Sequence, residues 1–480
     1  MMASQTTLEK KIVELENSKQ IPQSSRPKIQ RVPHNLRNRK NFEKYYSPKF
    51  LSIGPIHHGN TDLKLGGKYK LMWAAKYIEN TRLNPRDLHK KIFDNIDELK
   101  GHFDDDVILT LTGKSLEGFG SLEEKLSWIL FVDGCSLLYI LDGCCTWMDD
   151  PEPMDIKVDQ LVLVMMDVLL LENQLPYQVL KLLWKDEDKS GLIESIMNFF
   201  KYILARPGES QSEKEIHVVL NGGEHIVSIL NESQLETPTH LLDLLRKITL
   251  IGSKPKTKSN EAITSKEASE ETGPQKLIKK LLQKIKKWSQ KKKEFKLITY
   301  RNIQDLKAVG IRVKSSKTRW LRDLDFSAGW FAAKLTLPEI VVDDTSATIF
   351  LNKIAYEMCP DFKNDYGICS FAAFIESLID HPEDVRELRS KGILLNCFGS
   401  DEEVANIFNI ITTDVMTNIN TYHELRRKIN EHYCNKYKTW IAQGFHTYFS
   451  SPWAITAFLA AFIAIVLTFI QTWFTIHPAC

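Results

Sequence analysis

The 480-residue sequence lacks the features that mark most secreted, metal-binding and nucleotide-binding proteins. Its N-terminus is charged from Glu9 onward and has no apolar signal-peptide segment. Its eight cysteines form no C-x-x-C pair and no zinc-finger spacing with histidine. A phosphate loop, a G-x-S-x-G nucleophile elbow and an H-E-x-x-H pair are also missing. We therefore expect no metal, no cofactor and no disulfide framework, and cysteines that are mostly buried thiols in a reducing compartment.

The sequence also lacks an excess of charge of either sign. Its 63 basic and 61 acidic residues give a formal net charge of +2. Such a balance creates no global field that would attract nucleic acid, so we expect no nucleic-acid partner. With 43% hydrophobic residues, the chain is long enough and apolar enough to bury one large core or two moderate ones.

The C-terminal end contains no charged side chain from Thr439 onward. Within it, residues 453–474 form an apolar run of 22 residues that only three threonines and one glutamine interrupt. A helix of that length measures about 33 Å, and the hydrocarbon core of a bilayer is about 30 Å thick. We therefore predict a membrane span there, and its large or terminal members are Trp453, Ala454, Phe458, Phe462, Ile465, Leu467, Phe469, Trp473 and Phe474.

Charges on the two sides of this run predict its orientation. Five basic residues precede the run, and none follows it; they are Arg426, Arg427, Lys428, Lys436 and Lys438. The positive-inside rule then places the N-terminal side in the cytoplasm. The sequence thus predicts a single-pass, tail-anchored membrane protein of the plasma membrane or an endomembrane, with most of its mass cytoplasmic.

Hydrophobic periodicity predicts a mainly α-helical fold with a small antiparallel β-sheet at about 310–342. Helical spacing is clearest in the ranges 121–142, 158–183, 191–204, 240–250, 347–359, 371–379 and 402–416. Composition then divides the chain into a flexible arm (1–28), a helical N-terminal half (29–252), a disordered linker (253–275), a basic helix (276–293), an α+β C-terminal half (294–450) and the span (453–474).

The predicted basic helix carries nine lysines and no acidic residue, with apolar residues at helical spacing. Its central members are Lys279, Lys280, Lys284, Lys286, Lys287 and Trp288. A solvated helix that packs one face on the domain accounts for this pattern. Anionic lipid, a calmodulin-like protein groove and a nuclear-import-like patch are the functional alternatives.

Two groups of polar residues are the catalytic candidates. His57 and His58 follow a Gly-Pro turn, although neighbouring imidazoles in extended backbone point in opposite directions. Glu172 ends a long apolar run, and a hydrolase would pair it with Glu357 or Asp167 as an acid/base couple. The structural alternative is a polar network that fixes a buried helix end or kink.

Short sequence blocks are spread along the chain: IQRVP (29–33), YSP (46–48), LSIGPIHHG (51–59), LLLENQLP (169–176), HLLDLLR (240–246), NKIAYE (352–357), LIDHPEDV (378–385), GSDEEVA (399–405) and YFSSPWA (448–454). In this order they resemble the plant family called domain of unknown function 247. The resemblance implies a plant membrane protein without an established biochemical activity. Some grass members are associated with self-incompatibility, which implies a non-enzymatic role in interaction or recognition.

Overall fold

The computed structural model describes residues 2–17, 27–39, 41–112, 116–147, 152–187, 189–204, 237–251, 300–316, 320–321, 323–329, 333–362, 365–411, 415–418, 420–434 and 452–476. The chain divides into two units. Unit 1 comprises residues 1–249, 344–368 and 414–416, and unit 2 comprises residues 250–343, 369–413 and 417–480. The predicted linker (253–275) and basic helix (276–293) lie outside the described residues.

The helices, in chain order, are α1 (Met2–Asn17), α2 (His34–Arg37), α3 (Phe42–Tyr46), α4 (Lys64–Thr81), α5 (Pro85–Asp94), α6 (Ile96–Lys100), α7 (Asp105–Thr112), α8 (Leu122–Trp147), α9 (Val158–Asp167), α10 (Tyr177–Leu183), α11 (Ser190–Ile203), α12 (Leu241–Ile251), α13 (Ile303–Ala308), α14 (Asp344–Glu357), α15 (Gly367–Glu376), α16 (Pro382–Ser390), α17 (Asp401–Ile411), α18 (His423–Tyr433) and α19 (Pro452–Ile476). The strands are β1 (Ile311–Ser315), β2 (Asp325–Ala328), β3 (Ala333–Leu337), β4 (Ile340–Val342) and β5 (Leu394–Asn396).

Helix α8 forms the centre of unit 1, where α4, α5, α10 and α11 pack around it. Its 26 residues are apolar on most faces, as expected for a helix that is surrounded by others. Gly134 lets α10 approach closely, since a Cβ atom there would lie 2.5 Å from a methyl group of Leu183. Helix α14, from the second half of the chain, also belongs to unit 1 and packs on α3 and α9.

The helical pattern predicted over 158–183 is interrupted in the structure. Helix α9 ends at Asp167, α10 begins at Tyr177, and a buried turn that contains Glu172 connects them. Pro176 has no N–H group to continue a helix, and it directly precedes α10. Glu172 therefore lies in the buried connection between two helices, five residues after the end of α9.

Unit 2 contains the predicted small sheet, although its strands do not pair only in the antiparallel sense. The order is β1-β3-β2, with β1 parallel to β3 and β2 antiparallel to β3. A second pair, β4 with β5, is parallel and joins residues far apart in the chain. The prediction of a mainly helical fold with a small sheet is confirmed, and the sheet is mixed because the central strand β3 runs parallel to β1 and antiparallel to β2.

The segment predicted as a flexible arm contains helix α1. In this helix Leu8, Ile12 and Leu15 recur every three or four residues among charged side chains. Their side chains are exposed in the structure.

Among the described residues, two helices are long and apolar enough to cross a membrane. In α8, the apolar stretch Leu122–Gly143 is 83% buried, so it is a core helix of unit 1. In α19, the stretch Thr456–Trp473 is 0% buried. Only α19 therefore combines the length of a span with a fully exposed apolar surface.

Two adjacent glycines of α4 provide a test of the packing in unit 1. A Cβ atom at Gly66 would lie 1.9 Å from the carbonyl oxygen of Phe50, whereas one at Gly67 meets nothing within 4 Å. We expect Gly66→Ala to reduce the free energy of unfolding by about 3 kcal/mol, because backbone must move. Gly67→Ala should raise it by up to about 1 kcal/mol through helix propensity. Thermal unfolding of the detergent-solubilised chain, followed by circular dichroism, measures both; equal effects would contradict this packing.

Candidate functional site

The segment of residues 49–54 in unit 1 belongs to no helix or strand, and all of its residues except Lys49 are buried. Leu51 and Ile53 are almost completely inaccessible. Buried peptide groups need hydrogen-bond partners, and this segment has no neighbouring strand to supply them. Its partners are instead side chains from α4, from α8, from the end of α9 and from the α9–α10 turn. We use the name polar cluster for five buried side chains of α8, of the end of α9 and of the turn, of which the first three bind this segment: Asp133, Asp167, Asn173, Glu172 and Gln174.

Asp167, the last residue of α9, binds three consecutive peptide groups. Its carboxylate accepts hydrogen bonds from the N–H groups of Lys49 (3.0 and 3.1 Å), Phe50 (2.7 Å) and Leu51 (2.8 Å). Burial raises the pKa of Asp167 to about 6, although the three N–H groups act in the opposite direction.

Asn173 and Gln174 connect this segment and α12 to the turn itself. The side-chain oxygen of Asn173 accepts from the Ile53 N–H at 2.7 Å, and its amide nitrogen donates to the carbonyls of Leu51 and Asp167. Gln174 donates to two carbonyls of its own turn and accepts from the Leu242 N–H in α12 at 3.1 Å. Both amides are thus used as donor and acceptor at once.

Asp133 continues the cluster from the middle of α8. One of its oxygens accepts from the Gly54 N–H at 2.7 Å, and the other lies 2.7 Å from the ammonium of Lys70 in α4. Lys70 also donates to the carbonyl of Ser52 at 2.8 Å. A buried aspartate is stable in an apolar helix only with such partners, which explains this ion pair.

Glu172, in the α9–α10 turn, links this turn to the N-terminal part of the chain. It accepts a 2.7 Å hydrogen bond from the Val32 N–H, and its second oxygen lies 3.2 Å from Nε2 of His57. The guanidinium groups of Arg31 and Arg37 lie 3.8 Å from its oxygens. Burial raises the pKa of Glu172, but His57, the Val32 N–H and Arg31 lower it more, and the net pKa is below the ordinary value.

The two predicted histidines have different partners. His57 faces Glu172, whereas Nε2 of His58 lies 3.5 Å from the carboxylate of Glu117. Burial lowers the pKa of His58, and the nearby charges of Asp133 and Glu117 oppose that effect. No group of three or more histidine, cysteine or acidic side chains within the described ranges has a geometry suited to a metal ion.

Glu357 belongs to a separate buried network at the end of α14. It accepts hydrogen bonds from Nε of Arg246 at 2.7 Å and from the Ile368 N–H at 3.0 Å. Burial lowers the pKa of the neighbouring Lys353 to about 8, which the charge of Glu357 opposes and that of Arg246 reinforces. The structure therefore places Glu172, Asp167 and Glu357 in three different sets of hydrogen bonds.

Sequence reasoning missed two buried polar residues, Asp133 of the polar cluster and Asn352 beside it. Asp133 is a single acid within an apolar run, and Asn352 lies inside a helical pattern. Asn352 accepts from the Leu171 N–H at 2.8 Å and donates to the carbonyls of Tyr45 and Thr348, also at 2.8 Å. The only signal in the sequence was a polar residue at a position that helical spacing assigns to the core.

The two units, the polar cluster and the exposed apolar helix α19 define a mainly helical protein with one candidate membrane-spanning helix. The family model described as plant protein of unknown function, DUF247, matches residues 29–467, so the chain belongs to this family.

Two curated proteins of Arabidopsis thaliana are similar to the chain. The UPF0481 protein At3g47200 is 26% identical over 447 residues, which are 89% of this chain and 82% of that protein. The putative UPF0481 protein At3g02645 is 27% identical over 175 residues, or 36% of this chain and 32% of that protein. No solved structure matches the chain significantly.

The ion pairs of Glu172 predict a pH-dependent loss of stability in Glu172→Gln. Because its folded pKa is lowered, Glu172 contributes stability that is complete above the unfolded value of about 4.3 and is lost as pH falls through the folded pKa. We expect Glu172→Gln to cost about 2 kcal/mol at pH 7 and progressively less below about pH 4. Urea unfolding of the solubilised chain at both pH values measures this.

The exposed Glu98 on α6 is the matched control for this experiment. Glu98→Gln should change stability by less than about 0.5 kcal/mol at either pH. The assigned role of Glu172 would be contradicted if Glu172→Gln lowered the free energy of unfolding equally at both pH values, or by no more than the control.

Proposed function

We propose that this chain is a membrane-anchored interaction protein without catalytic activity, held to the bilayer by α19. The main observation in support of a membrane anchor is the exposed apolar surface of α19. Most of its large apolar side chains, including Phe458, Phe462 and Phe469, are more than half exposed. A continuous apolar surface of this kind is unfavourable in water and favourable in hydrocarbon.

Charge supports one orientation of the proposed anchor. Helix α18 precedes α19 and carries Arg426, Arg427 and Lys428, whereas no lysine or arginine follows the span. The positive-inside rule therefore favours a cytoplasmic location for both units.

The use of the buried carboxylates supports interaction rather than catalysis. Asp167 binds backbone N–H groups, Glu357 binds Arg246, and Glu172 binds Val32 and its cationic neighbours. An acid/base couple of the glycosidase type needs two carboxyl groups that face one substrate. These three carboxylates instead hold segments of the chain together, so recognition by the surface of the protein is the better-supported role.

A hydrolase that uses Glu172 is the second candidate, and the His57 contact favours it. His57 is 3.2 Å from Glu172 and its side chain is 16% exposed, so solvent reaches one end of the pair. Activity profiling of the purified chain against glycosides and esters distinguishes the two proposals. If the chain turns over one of these substrates, and if Glu172→Gln abolishes that activity without unfolding the protein, the hydrolase proposal replaces the interaction proposal.

Removal of residues 452–480 tests the anchor directly. We expect the full chain to float with neutral phosphatidylcholine vesicles and to resist extraction by alkaline carbonate, because α19 is buried in hydrocarbon. The shortened chain should remain in the soluble fraction. Flotation that is unchanged by the deletion would show that another segment binds the membrane.

The lysine-rich range 276–293 remains a sequence prediction, and lipid binding by it can be measured without the anchor. Replacement of Lys279, Lys280, Lys284, Lys286 and Lys287 by glutamine removes about 1 kcal/mol of attraction to an anionic surface per residue. In a chain that lacks residues 452–480, we expect this variant to bind phosphatidylserine vesicles at least about tenfold more weakly. Equal binding by the two chains would exclude a lipid role for this range.

A further inference from the structure

Helix α1 carries an apolar stripe that is exposed to solvent. Leu8, Ile12 and Leu15 are 60%, 45% and 74% exposed, and their spacing of four and three residues is that of a coiled-coil seam. Isoleucine at the a position with leucine at the d positions, as found here, favours two parallel strands. A 16-residue helix is only slightly longer than the limit of about 12–15 residues below which isolated helices are marginal in water, and burial of this stripe would stabilise it.

We propose that two copies of this chain associate in parallel, through α1 against α1 and through one face of α19 against the same face. The second contact rests on the proposed anchoring, because it requires α19 to lie in a bilayer. The first contact does not depend on it.

The charges beside the α1 stripe are complementary between two parallel copies. In this register Lys11 occupies a g position and Glu16 the e position five residues later, so each Lys11 faces Glu16 of the other copy. Both side chains are exposed and available for such a pair. An antiparallel arrangement would instead bring Glu9 close to Glu16 and create repulsion. The charge pattern therefore selects a second parallel copy of α1.

Helix α19 has two chemically different faces. At about 100° per residue, the small and polar residues between Thr456 and Trp473 fall on one arc of about 160°. These residues, which we call the small face, are Thr456, Ala457, Ala460, Ala461, Ala464, Thr468, Gln471 and Thr472. Leu467 is the one large residue of this stretch on that arc, and the others occupy the opposite side. Ala464, Thr468 and Thr472 of the small face line a shallow, open depression together with Ile465 and Phe469.

Gln471 is the polar side chain of the small face that most requires a partner. The hydroxyls of Thr468 and Thr472 already donate to carbonyls one turn earlier, at 2.7 Å. Gln471 makes no such bond within the described helix, and an amide without a partner in hydrocarbon costs several kcal/mol. An amide is both donor and acceptor, so Gln471 can pair with the same residue of a second copy at equal depth.

Anchoring would strengthen both contacts. Two copies inserted with the same orientation present α19 in parallel by necessity. Tethering to one bilayer also raises the effective concentration of each α1 near the other, so even a two-heptad contact becomes populated.

Cysteine cross-linking of the full chain in phosphatidylcholine vesicles tests both contacts. The background retains buried Cys135, Cys359 and Cys369, and serine replaces the other cysteines. At low protein-to-lipid ratio, oxidation should trap Ile12→Cys as a dimer roughly tenfold more than Val13→Cys, an exposed neighbour outside the seam. On α19, Ala464→Cys should exceed Phe462→Cys by a similar factor.

A further pair of substitutions isolates the amide contact. Gln471→Leu should reduce trapping at Ala464→Cys severalfold, whereas Ile470→Leu on the opposite side should leave it unchanged. Equal trapping at residues 12 and 13 overturns the α1 contact, and equal trapping at residues 464 and 462 overturns the α19 contact. Flotation of the same vesicles reports anchoring separately: a chain that floats without trapping refutes association alone, and a chain that does not float refutes the anchor.

Discussion

Unit 1 depends on one constraint, the need of a buried, non-repetitive backbone segment for hydrogen-bond partners. In most domains a neighbouring strand or the helix itself supplies these partners. Residues 49–54 have neither, and Asp167, Asn173 and Asp133 bind their N–H groups instead. Three acceptors on two helices and a turn thereby fix the path of this segment across the core.

The same constraint explains local features that otherwise look unrelated. Gly54 has a φ of +75°, and a Cβ atom there would lie 2.7 Å from the carbonyl oxygen of Gln174. Gly66 allows α4 to contact the backbone of Phe50, and Lys70 of the same helix binds the carbonyl of Ser52. The blocks at 51–59 and 169–176 thus represent two sides of one interface inside unit 1. Their polar residues are needed for the shape of the protein, which limits what they can contribute to chemistry.

The sequence predicted those parts of the fold that depend on local pattern. Unbroken apolar length located α8 and α19, and Glu172 before Leu175 and Pro176 indicated a buried helix end with a polar network. The pairing of strands that are far apart in the chain was harder to predict from the sequence. The mixed order of the three-stranded sheet and the partnership of β4 with β5 depend on packing that no local pattern records.

In the candidate site, too, features that depend on neighbouring residues could be predicted, whereas contacts between distant residues could not. Adjacent histidines were expected to diverge, and they face Glu172 and Glu117 respectively. In contrast, Asp133 and Asn352 each appear alone in helical sequence, so their partners became known only from the structure. A buried polar residue gives a signal in sequence when it interrupts a pattern, but the identity of the group that it binds depends on the tertiary fold.

The cluster also has a consequence for the order in which the protein folds. The bonds from Leu51 to Asp167 and from Ile53 to Asn173 join residues that are 116 and 120 positions apart. The bond from Asn352 to Tyr45 spans 307 positions. Closing such long loops lowers the conformational entropy of the chain before the hydrogen bonds can form and offset that loss. High contact order therefore slows folding. The early segment around residue 51 is thus expected to be among the last parts of unit 1 to reach its native place, and to expose apolar surface to chaperones until then.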